Sequence, residues 1–470
     1  MKKTKLIALC LAAITALTPV TAFAAAAEDA ETDSDTAVSL DYTLDSPYKN
    51  VDWDTYKSYK TNLHTHSSVS DGSETYRNMI QAAYDQDFDI LAFSEHGITG
   101  KAWDEQPFIR PLYLYQIAAG YDRKPLTSEE FEAIQNGSAP LSSTGEARGK
   151  GMFCVTGANE LNAVTLTKSH VNGYFLPETV GNMDWGFENG YDYALSLVEK
   201  HGGLSHINHP GDWLSYGDDE SAVSKPENVA FFADYILRYN SCLGVEAVNG
   251  FTSLTRYDRV LWDNLLMYCL PYGKNVYGFA GSDAHDKGRL NSCWEYFMLD
   301  EVSMESIREC MENGAFFGAT HTVISNSKRG PEQDVHAPDG IMQPVAEVHS
   351  FIADGHKITL NVSNATYVNW IANGEVIERT DFDSDNGVAV LDLDNYDTDG
   401  MLYVRAEIYN ENGMVFSQPV VLDRGTEPAV YTTPTGFKAT MHKIGFALKS
   451  TRIFALFQII FREIKKAVNK

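Results

Sequence analysis

Six histidines and three acidic residues lie in seven short segments of this 470-residue chain, in a spacing that suits a metal site. The residues are His64, His66, Asp71, His96, Glu160, His170, His209, Asp283 and His285. Neutral imidazole and carboxylate are ligands that zinc, manganese and iron(II) accept, and one carboxylate can bridge two ions. The set therefore predicts a hydrolytic centre that binds more than one divalent ion.

Short apolar, β-prone runs precede these segments and would position them. Strands are predicted at 90–94, 152–157, 171–176, 203–207, 244–248 and 276–280, alternating with helical stretches such as 74–84 and 191–200. His64 and His66 are two residues apart, as are Asp283 and His285, so each pair faces one side of an extended strand. Barrel enzymes carry catalytic groups at the C-terminal ends of their strands. The pattern therefore predicts an α/β barrel.

From about residue 60 to about residue 320 the ordered motifs resemble the PHP (polymerase and histidinol phosphatase) family. The resemblance implies a distorted seven-stranded TIM-like (β/α) barrel with a trinuclear metal centre. It implies three ligand groups: His64, His66, Glu160 and Asp283; Glu160, His170 and His209; and Asp71, His96 and His285. Asp71 stands where many relatives have a third histidine, a variant also found in the family.

Amidohydrolase-superfamily barrels also open with His-x-His and end with a strand-borne aspartate. That class needs neither Asp71 nor His285, two residues beyond the last aspartate. These two residues favour the PHP resemblance.

The predicted reaction is metal-dependent hydrolysis, in which two or three ions (Zn, Mn or Fe) activate a metal-bridging hydroxide as nucleophile. Catalytic roles are assigned to Glu160, Asp283 and His209. The resemblance favours a small phosphoester substrate. Candidate substrate-binding residues are Arg256, Arg289, Trp213 and His321, with Arg259 as a further candidate phosphate clamp.

Two other functions stay open. A carboxyl-ester or carbamate hydrolase would use the same metal centre, with Trp213 and Tyr216 as apolar pocket walls. A non-catalytic metal-binding cell-surface protein would usually have lost some ligands, whereas this chain keeps all nine.

Charge and targeting signals limit the possible partners and the location of the protein. A formal charge of -27 argues against a nucleic-acid partner. Residues 1–26 resemble a secretory signal peptide, with three lysines, an apolar stretch and Ala22-Phe23-Ala24 as the cleavage site. The mature chain is therefore expected outside the cytoplasm. Its five cysteines lie mostly in apolar runs, which favours buried thiols over disulfides.

Domain organisation follows from shifts in pattern. Residues 27–45 form an acidic leader, predicted to be disordered, and residues 46–330 form the barrel. An insertion of roughly fifty residues between Gly97 and Gly151 is either a lid over the catalytic face or a helical elaboration outside the barrel. Residues 343–424 predict a small immunoglobulin-like β-sandwich.

Residues 436–470 predict a basic amphipathic helix. They carry a net charge of +7, which leaves -34 on the rest of the chain. One predicted face is apolar, from Phe446 to Val468, and the other carries Arg452, Arg462, Lys465 and Lys466. Such a helix can lie on an anionic membrane surface, or it can dock on the acidic body of the protein itself.

Overall fold

The computed structural model describes residues 42–110, 120, 122–162, 169–182, 190–214, 220–250, 255–323, 335–336, 343–384 and 386–449. All of them belong to one unit of the chain, Asp41–Lys470. The predicted signal peptide lies outside the described residues, as do most of the leader and residues 450–470 of the tail.

The strands are β1 (Thr43–Asp45), β2 (Lys57–Asn62), β3 (Ile90–Ala92), β4 (Phe153–Val155), β5 (Asn159–Leu161), β6 (Val171–Tyr174), β7 (Leu204–Ile207), β8 (Cys242–Asn249), β9 (Tyr277–Gly281), β10 (Cys293–Leu299), β11 (Phe316–Thr320), β12 (Thr322–Val323), β13 (Val335–His336), β14 (Glu347–Asp354), β15 (Lys357–Ser363), β16 (Tyr367–Ala372), β17 (Glu375–Asp381), β18 (Asn386–Asp392), β19 (Tyr403–Asn410), β20 (Gly413–Phe416) and β21 (Val420–Asp423).

The α-helices are α1 (Tyr76–Asp85), α2 (Ser128–Asn136), α3 (Gly190–Lys200), α4 (Pro210–Leu214), α5 (Ser221–Ser224), α6 (Pro226–Arg238), α7 (Asp258–Cys269), α8 (Met304–Asn313) and α9 (Phe437–Lys449). Short 3-10 turns lie at Leu270–Tyr272, Leu290–Ser292 and Leu393–Asn395. The predicted strands and helices of the barrel region are thus confirmed, with shifts at their ends.

Helix α1 shows how the local sequence builds this layer. The side chain of Thr75 caps its N-terminus by accepting from the backbone N–H of Asn78. Met79, Ile80 and Ala83 recur at helical spacing and are fully buried in the main core. Helix α1 follows β2 and precedes β3 in the chain. Burial of this face packs the helix against the main core.

Two sheets carry the N-terminal two-thirds of the chain. In the first, β2, β3 and β4 are parallel neighbours, and β10 and β11 continue the sheet on the other side of β2 in antiparallel pairs. The second sheet has the order β5-β6-β7-β8-β9. Within it β7, β8 and β9 are parallel, but β6 is antiparallel to both of its neighbours.

The predicted closed barrel is not formed as one continuous sheet in the described residues. The two sheets meet instead through isolated parallel bridges, Thr65 with Ala284 and His96 with Glu160. Thr65, Ala284 and His96 lie just beyond the ends of β2, β9 and β3, whereas Glu160 lies within β5. The result is a mixed α/β architecture in which the two sheets are joined at the end that carries the predicted ligands.

The predicted all-β region is confirmed as β-structure, and its immunoglobulin-like topology stays a prediction. It forms a three-stranded antiparallel sheet, β14-β15-β18, and a second group in which β19 pairs with β16, β20 and β21. Strand β20 also pairs with β11 of the first sheet, so one eleven-stranded sheet runs through both regions.

The leader prediction is wrong at its C-terminal end. Thr43–Asp45 form β1 and pair in antiparallel register with β21. The backbone hydrogen bonds of an open sheet edge are satisfied by this pairing, which orders a segment whose composition alone favours disorder.

Strand β19 is buried on both faces, which a solvent-facing sandwich strand would not be. Val404, Ala406 and Ile408 pack into the main hydrophobic core. On the opposite face, Arg405 places its guanidinium against Asp263 of α7, with contacts of 2.8 and 2.9 Å. The β region is therefore docked on the helical layer through a buried ionic contact.

The remaining predictions concern thiols and the tail. All five described cysteines are buried and unbonded, as predicted. Helix α9 exposes Phe437, Met441, Ile444 and Leu448, a stripe at spacings of three and four residues. Among the described residues, no helix combines the length and apolar character needed to cross a membrane.

Candidate metal centre

All nine predicted ligand residues converge at the joined end of the two sheets. His64 and His66 follow β2, His96 follows β3, Glu160 is in β5, and Asp283 and His285 follow β9. Backbone hydrogen bonds tie these segments together: His66 N–H donates to Ala284 O at 2.8 Å, and Gly97 N–H to Glu160 O at 2.9 Å. The ligand-bearing loops are thus held to one another and not only to their strands.

Glu160 lies at the centre of the cluster. Five imidazoles come within 3.5 Å of its two carboxylate oxygens, those of His64, His66, His96, His170 and His209. Oε1 faces His64, His170 and His209, whereas Oε2 faces His66 and His96. A carboxylate with imidazoles on both oxygens has the arrangement needed to join two ions.

Four overlapping groups have ligand atoms within 4.8 Å of one another. They are His64, His66 and Glu160; Glu160, His170 and His209; His64, His209 and Asp283; and His66, Asp71, His96 and His285. The first three share the core of the site. The fourth differs from the group implied by the resemblance because it adds His66 to Asp71, His96 and His285.

Exposure divides the site into a closed and an open side. The side chains of His64, His66 and Glu160 are at most 1% exposed, whereas those of Asp71, His285 and Asp283 are 35%, 30% and 24% exposed. A substrate would therefore reach the centre past Asp71 and His285.

The buried polar atoms of this cluster fit a cation. Nε2 of His64, His66 and His170 and Oε2 of Glu160 are buried without a well-formed hydrogen bond in the described part of the chain. Buried polar atoms are normally satisfied, and imidazole nitrogens beside carboxylate oxygens are the donor set that zinc, manganese and iron(II) accept. The residues present thus suit divalent metal ions.

Protonation in the metal-free site follows from burial and mutual contact. Burial raises the pKa of Glu160, but the neighbouring imidazoles of His170, His96 and His64 outweigh it and bring the pKa well below its usual range. For His66, burial and the nearby His96 and His285 lower the pKa to about 3. Glu160 is therefore ionised and His66 neutral at neutral pH, the forms in which both residues bind metals.

Two ligand residues have backbone conformations that are uncommon outside glycine. His209 has a φ of 27° and Asp283 a φ of 48°. Such strain persists only where the surrounding structure holds it, and it clusters at functional sites. Here the backbone N–H of His209 donates to Glu246 at 2.8 Å, which holds the strained residue in place.

Glu246 contacts the ligand cluster and was missed by the sequence analysis. It is fully buried in β8, and its Oε1 lies 2.6 Å from Nδ1 of His64. The available signal was a single acid within the otherwise uncharged run Cys242–Asn249, since a buried charge requires a partner. Asn208, next to His209, also supports the site: its amide donates to Glu160 Oε1 at 2.8 Å.

The predicted substrate-binding residues fare differently. Both ring nitrogens of His321 are within hydrogen-bonding distance of protein groups, Asn291 and the carbonyl oxygen of Asn412, and the ring lies against Trp294. These contacts favour a structural role over substrate contact. Arg259 is buried against Glu407 at 2.8 Å and is therefore a poor candidate for a phosphate clamp.

Arg256 and Arg289 stay predictions. Arg256 is half-buried and follows Thr255, whose hydroxyl donates to Asn249 O at the end of β8. Arg289 is exposed, four residues after His285. The Trp213 side chain and Tyr216 lie outside the described residues.

His206 lies in β7, three residues before His209, and its ring contacts other protein groups. It is buried, its Nε2 is 2.9 Å from the hydroxyl of Tyr174, and its ring stacks on Phe279 with centroids 4.2 Å apart.

Comparisons with known proteins gave distant structural likenesses. No family model and no curated protein matches the chain. One similar solved structure is a two-domain protein from Bacteroides vulgatus, described as containing a predicted PHP-like metal-dependent phosphoesterase; it is 14% identical, with 81% of this chain and 98% of that chain covered and a TM-score of 0.38. Another is the lesion-specific endonuclease PfuEndoQ from Pyrococcus furiosus, 13% identical, with 55% of this chain and 56% of that chain covered and a TM-score of 0.29.

The structure brings together, at the joined end of its two sheets, the nine acids and histidines whose spacing resembles the PHP family.

Proposed function

We propose that this protein is a metal-dependent hydrolase whose nine converging residues bind two or three divalent ions (Zn, Mn or Fe). The observation that carries the proposal is the position of Glu160, buried between five imidazoles within 3.5 Å. A buried carboxylate surrounded in this way is better suited to bridge two ions than to form a structural ion pair. The buried Nε2 atoms of His64, His66 and His170 lack other hydrogen bonds in the described part of the chain.

When bound, divalent ions lower the pKa of water and stabilise developing negative charge. The protein's contribution is to orient the ligands and to keep one side accessible. Glu160 and Asp283 hold His64 and His66 between them, and the more exposed Asp71 and His285 face the entrance. Glu160, Asp283 and His209 keep their proposed catalytic roles as groups that hold the reacting centre together.

The proposed substrate is a small phosphoester. Support comes from Arg256, which is half-buried and follows Thr255 at the C-terminal end of β8, and whose Nε is buried without a hydrogen bond in the described part of the chain. A guanidinium in this position favours an anionic substrate, since Arg recognises phosphate by paired hydrogen bonds.

A carboxyl-ester or carbamate hydrolase is the alternative. It would need an apolar pocket and no cation at the substrate. The non-catalytic alternative predicts metal binding with no turnover of any ester.

A hydrolysis screen separates these functions. The purified protein, reconstituted separately with Mn, Fe and Zn, would be tested on phosphomonoesters, phosphodiesters and carboxyl esters. We expect phosphoester turnover that disappears on chelation and returns with metal. Turnover of carboxyl esters alone would favour the alternative, and bound metal without turnover would favour the binding protein.

We also propose that the protein is extracytoplasmic and associates with anionic membrane surfaces through its C-terminal helix. Support comes from the exposed stripe on α9, where Phe437 is 82% and Ile444 47% exposed, together with the +7 charge of residues 436–470. Exposed apolar side chains next to basic residues are the features that hold an amphipathic helix in a lipid interface. The apolar face predicted from Phe446 to Val468 lies outside the described side chains.

A further inference from the structure

Glu246 contacts two ligand residues at once, although it is not among the nine. Its Oε1 lies 2.6 Å from Nδ1 of His64. Its Oε2 accepts the backbone N–H of His209 at 2.8 Å and the side-chain amide of Asn249 at 2.9 Å. Glu246 is fully buried, so water does not compete for these contacts.

The polarity of these contacts fixes the state of His64. A carboxylate only accepts hydrogen bonds, so Nδ1 of His64 must carry a proton to bond Glu246. The lone pair of the neutral ring is then on Nε2, which lies 3.4 Å from both Glu160 Oε1 and Asp283 Oδ1. That nitrogen therefore points at the atoms that would share a metal ion with it.

We propose that Glu246 is a positioning residue of the metal centre, which selects the metal-binding tautomer of His64 and holds the backbone of His209. The inference rests on the proposed metal centre and adds a residue that acts through two of its ligands. Groups that orient metal-bound histidines through their second nitrogen typically contribute about 10- to 100-fold to metal affinity.

Gly281 gives independent support for a defined Glu246 position. A Cβ at Gly281 would overlap Oε1 of Glu246 and would come within 3.1 Å of Nδ1 of His64. A glycine at this point of β9 thus leaves the space that the Glu246–His64 contact occupies.

Glu246→Gln is the sharpest test because the amide has one accepting and one donating end. Both groups at Oε2 are N–H donors, so the amide oxygen must take that place. The NH2 group then faces Nδ1 of His64 and forces the proton onto Nε2, where it blocks metal binding. We expect E246Q to bind Zn²⁺ or Mn²⁺ about 10- to 100-fold more weakly than the wild type in calorimetric titrations.

Glu295→Gln is the matched control. Glu295 is also a buried acid of the same core, and it accepts the backbone N–H of Ala280 at 3.1 Å, but no ligand residue hydrogen-bonds to it in the described part. E295Q should keep wild-type metal affinity. The variant E246D retains an accepting carboxylate and should therefore bind metal more tightly than the variant E246Q.

Gly281→Ala keeps the contact testable if E246Q does not fold. The added methyl group displaces the Glu246 carboxylate without removing any charge or ligand. We expect weaker metal binding by G281A, and the visible spectrum of the Co²⁺-loaded protein should report an altered ligand geometry.

The outcomes are distinct. Wild-type metal affinity in E246Q, or in G281A where E246Q is unfolded, overturns the role of Glu246 and leaves the metal centre standing. Equal losses in E246Q and E295Q, or E246D no better than E246Q, also overturn it. A wild-type protein that binds no metal overturns the proposed function itself, and the inference with it.

Discussion

Lys60 illustrates how burial alters a single residue outside the ligand set. Its ammonium group lies over the rings of Phe88 and Trp294, 4.4 and 4.8 Å from their centroids, and donates to Gln86 O at 3.0 Å. Burial lowers the pKa of Lys60 from 10.5 to about 7, against the opposing effect of Asp87 and Asp89. The folded state thus disfavours the charged form.

This shift predicts a pH-dependent stability. Between pH 7 and 10.5 the unfolded chain holds a proton on Lys60 that the folded chain has lost, so the folding free energy becomes more favourable as pH rises. Lys60→Met should remove this contribution and flatten the rise, as measured by urea unfolding across that window. Lys57→Met, at an exposed position of the same strand, should leave the pH dependence unchanged, and an equal effect of both changes would contradict the argument.

Residue types were the most predictable part of the site. All nine candidate ligands were recognisable because each is a His, Asp or Glu in one of seven short segments whose order and spacing suit a metal site. Glu246 was not, because it lies within a strand and its role depends on which residues pack opposite it. The contacts of His321 could not be predicted for the same reason: its partner Asn412 is distant in sequence.

Helix α7 and strand β19 are joined by a buried ionic network at the scale of elements. Arg405 is fully buried between Asp263 and Glu407, and Arg259 bonds Glu407 at 2.8 Å. The guanidinium of Arg405 also lies over the Trp262 ring, 4.5 Å from the centroid. Removing one member of such a network leaves an uncompensated buried charge.

Arg405→Met should therefore lower the free energy of unfolding by about 3–5 kcal/mol. The measurement is denaturant unfolding of the metal-free protein. Arg379→Met is the control, since Arg379 pairs with Asp381 at the surface and such pairs contribute at most about 1 kcal/mol. Similar losses of unfolding free energy in both variants would contradict the claim that burial makes this network stabilising.

Element type was predictable, whereas pairing direction was not. The predicted strands of the barrel region formed because their apolar runs are buried, as in β7 and β8. The antiparallel direction of β6 depends on a connection from β5 that is too short for a crossover helix. Strand β1 was missed because its stabilising partner, β21, lies at the other end of the chain.

The distribution of charge is the feature of the whole molecule with the clearest consequence. Residues 436–470 carry +7 and the rest of the chain -34. Each basic residue near an anionic surface contributes on the order of 1 kcal/mol. Deleting residues from Gly436 on should release the protein from anionic vesicles, as measured by vesicle sedimentation. Hydrolysis of a soluble substrate should be unchanged. Equal sedimentation of both forms would refute membrane binding, and a lower melting temperature of the truncated form would favour docking on the protein body.

The continuity of the two regions could not be predicted from sequence. The α/β pattern of residues 46–330 and the all-β pattern of residues 343–424 suggested separate domains. However, β11 and β20 pair with each other, although nearly a hundred residues of chain separate them. Gln418 adds hydrogen bonds to both backbone groups of Gly278 in β9, the strand that precedes Asp283. Such long-range contacts depend on register and shape complementarity, which composition and periodicity do not encode.

The metal content of Glu160→Gln tests the central claim most directly. Wild-type protein and the variant would be reconstituted with Mn, Fe or Zn, desalted and measured by elemental analysis beside phosphoester hydrolysis. We predict two or three ions and turnover for the wild type, with ions and turnover both lost in E160Q at unchanged circular dichroism. A full metal complement in E160Q would contradict the assignment of Glu160 as the bridging ligand.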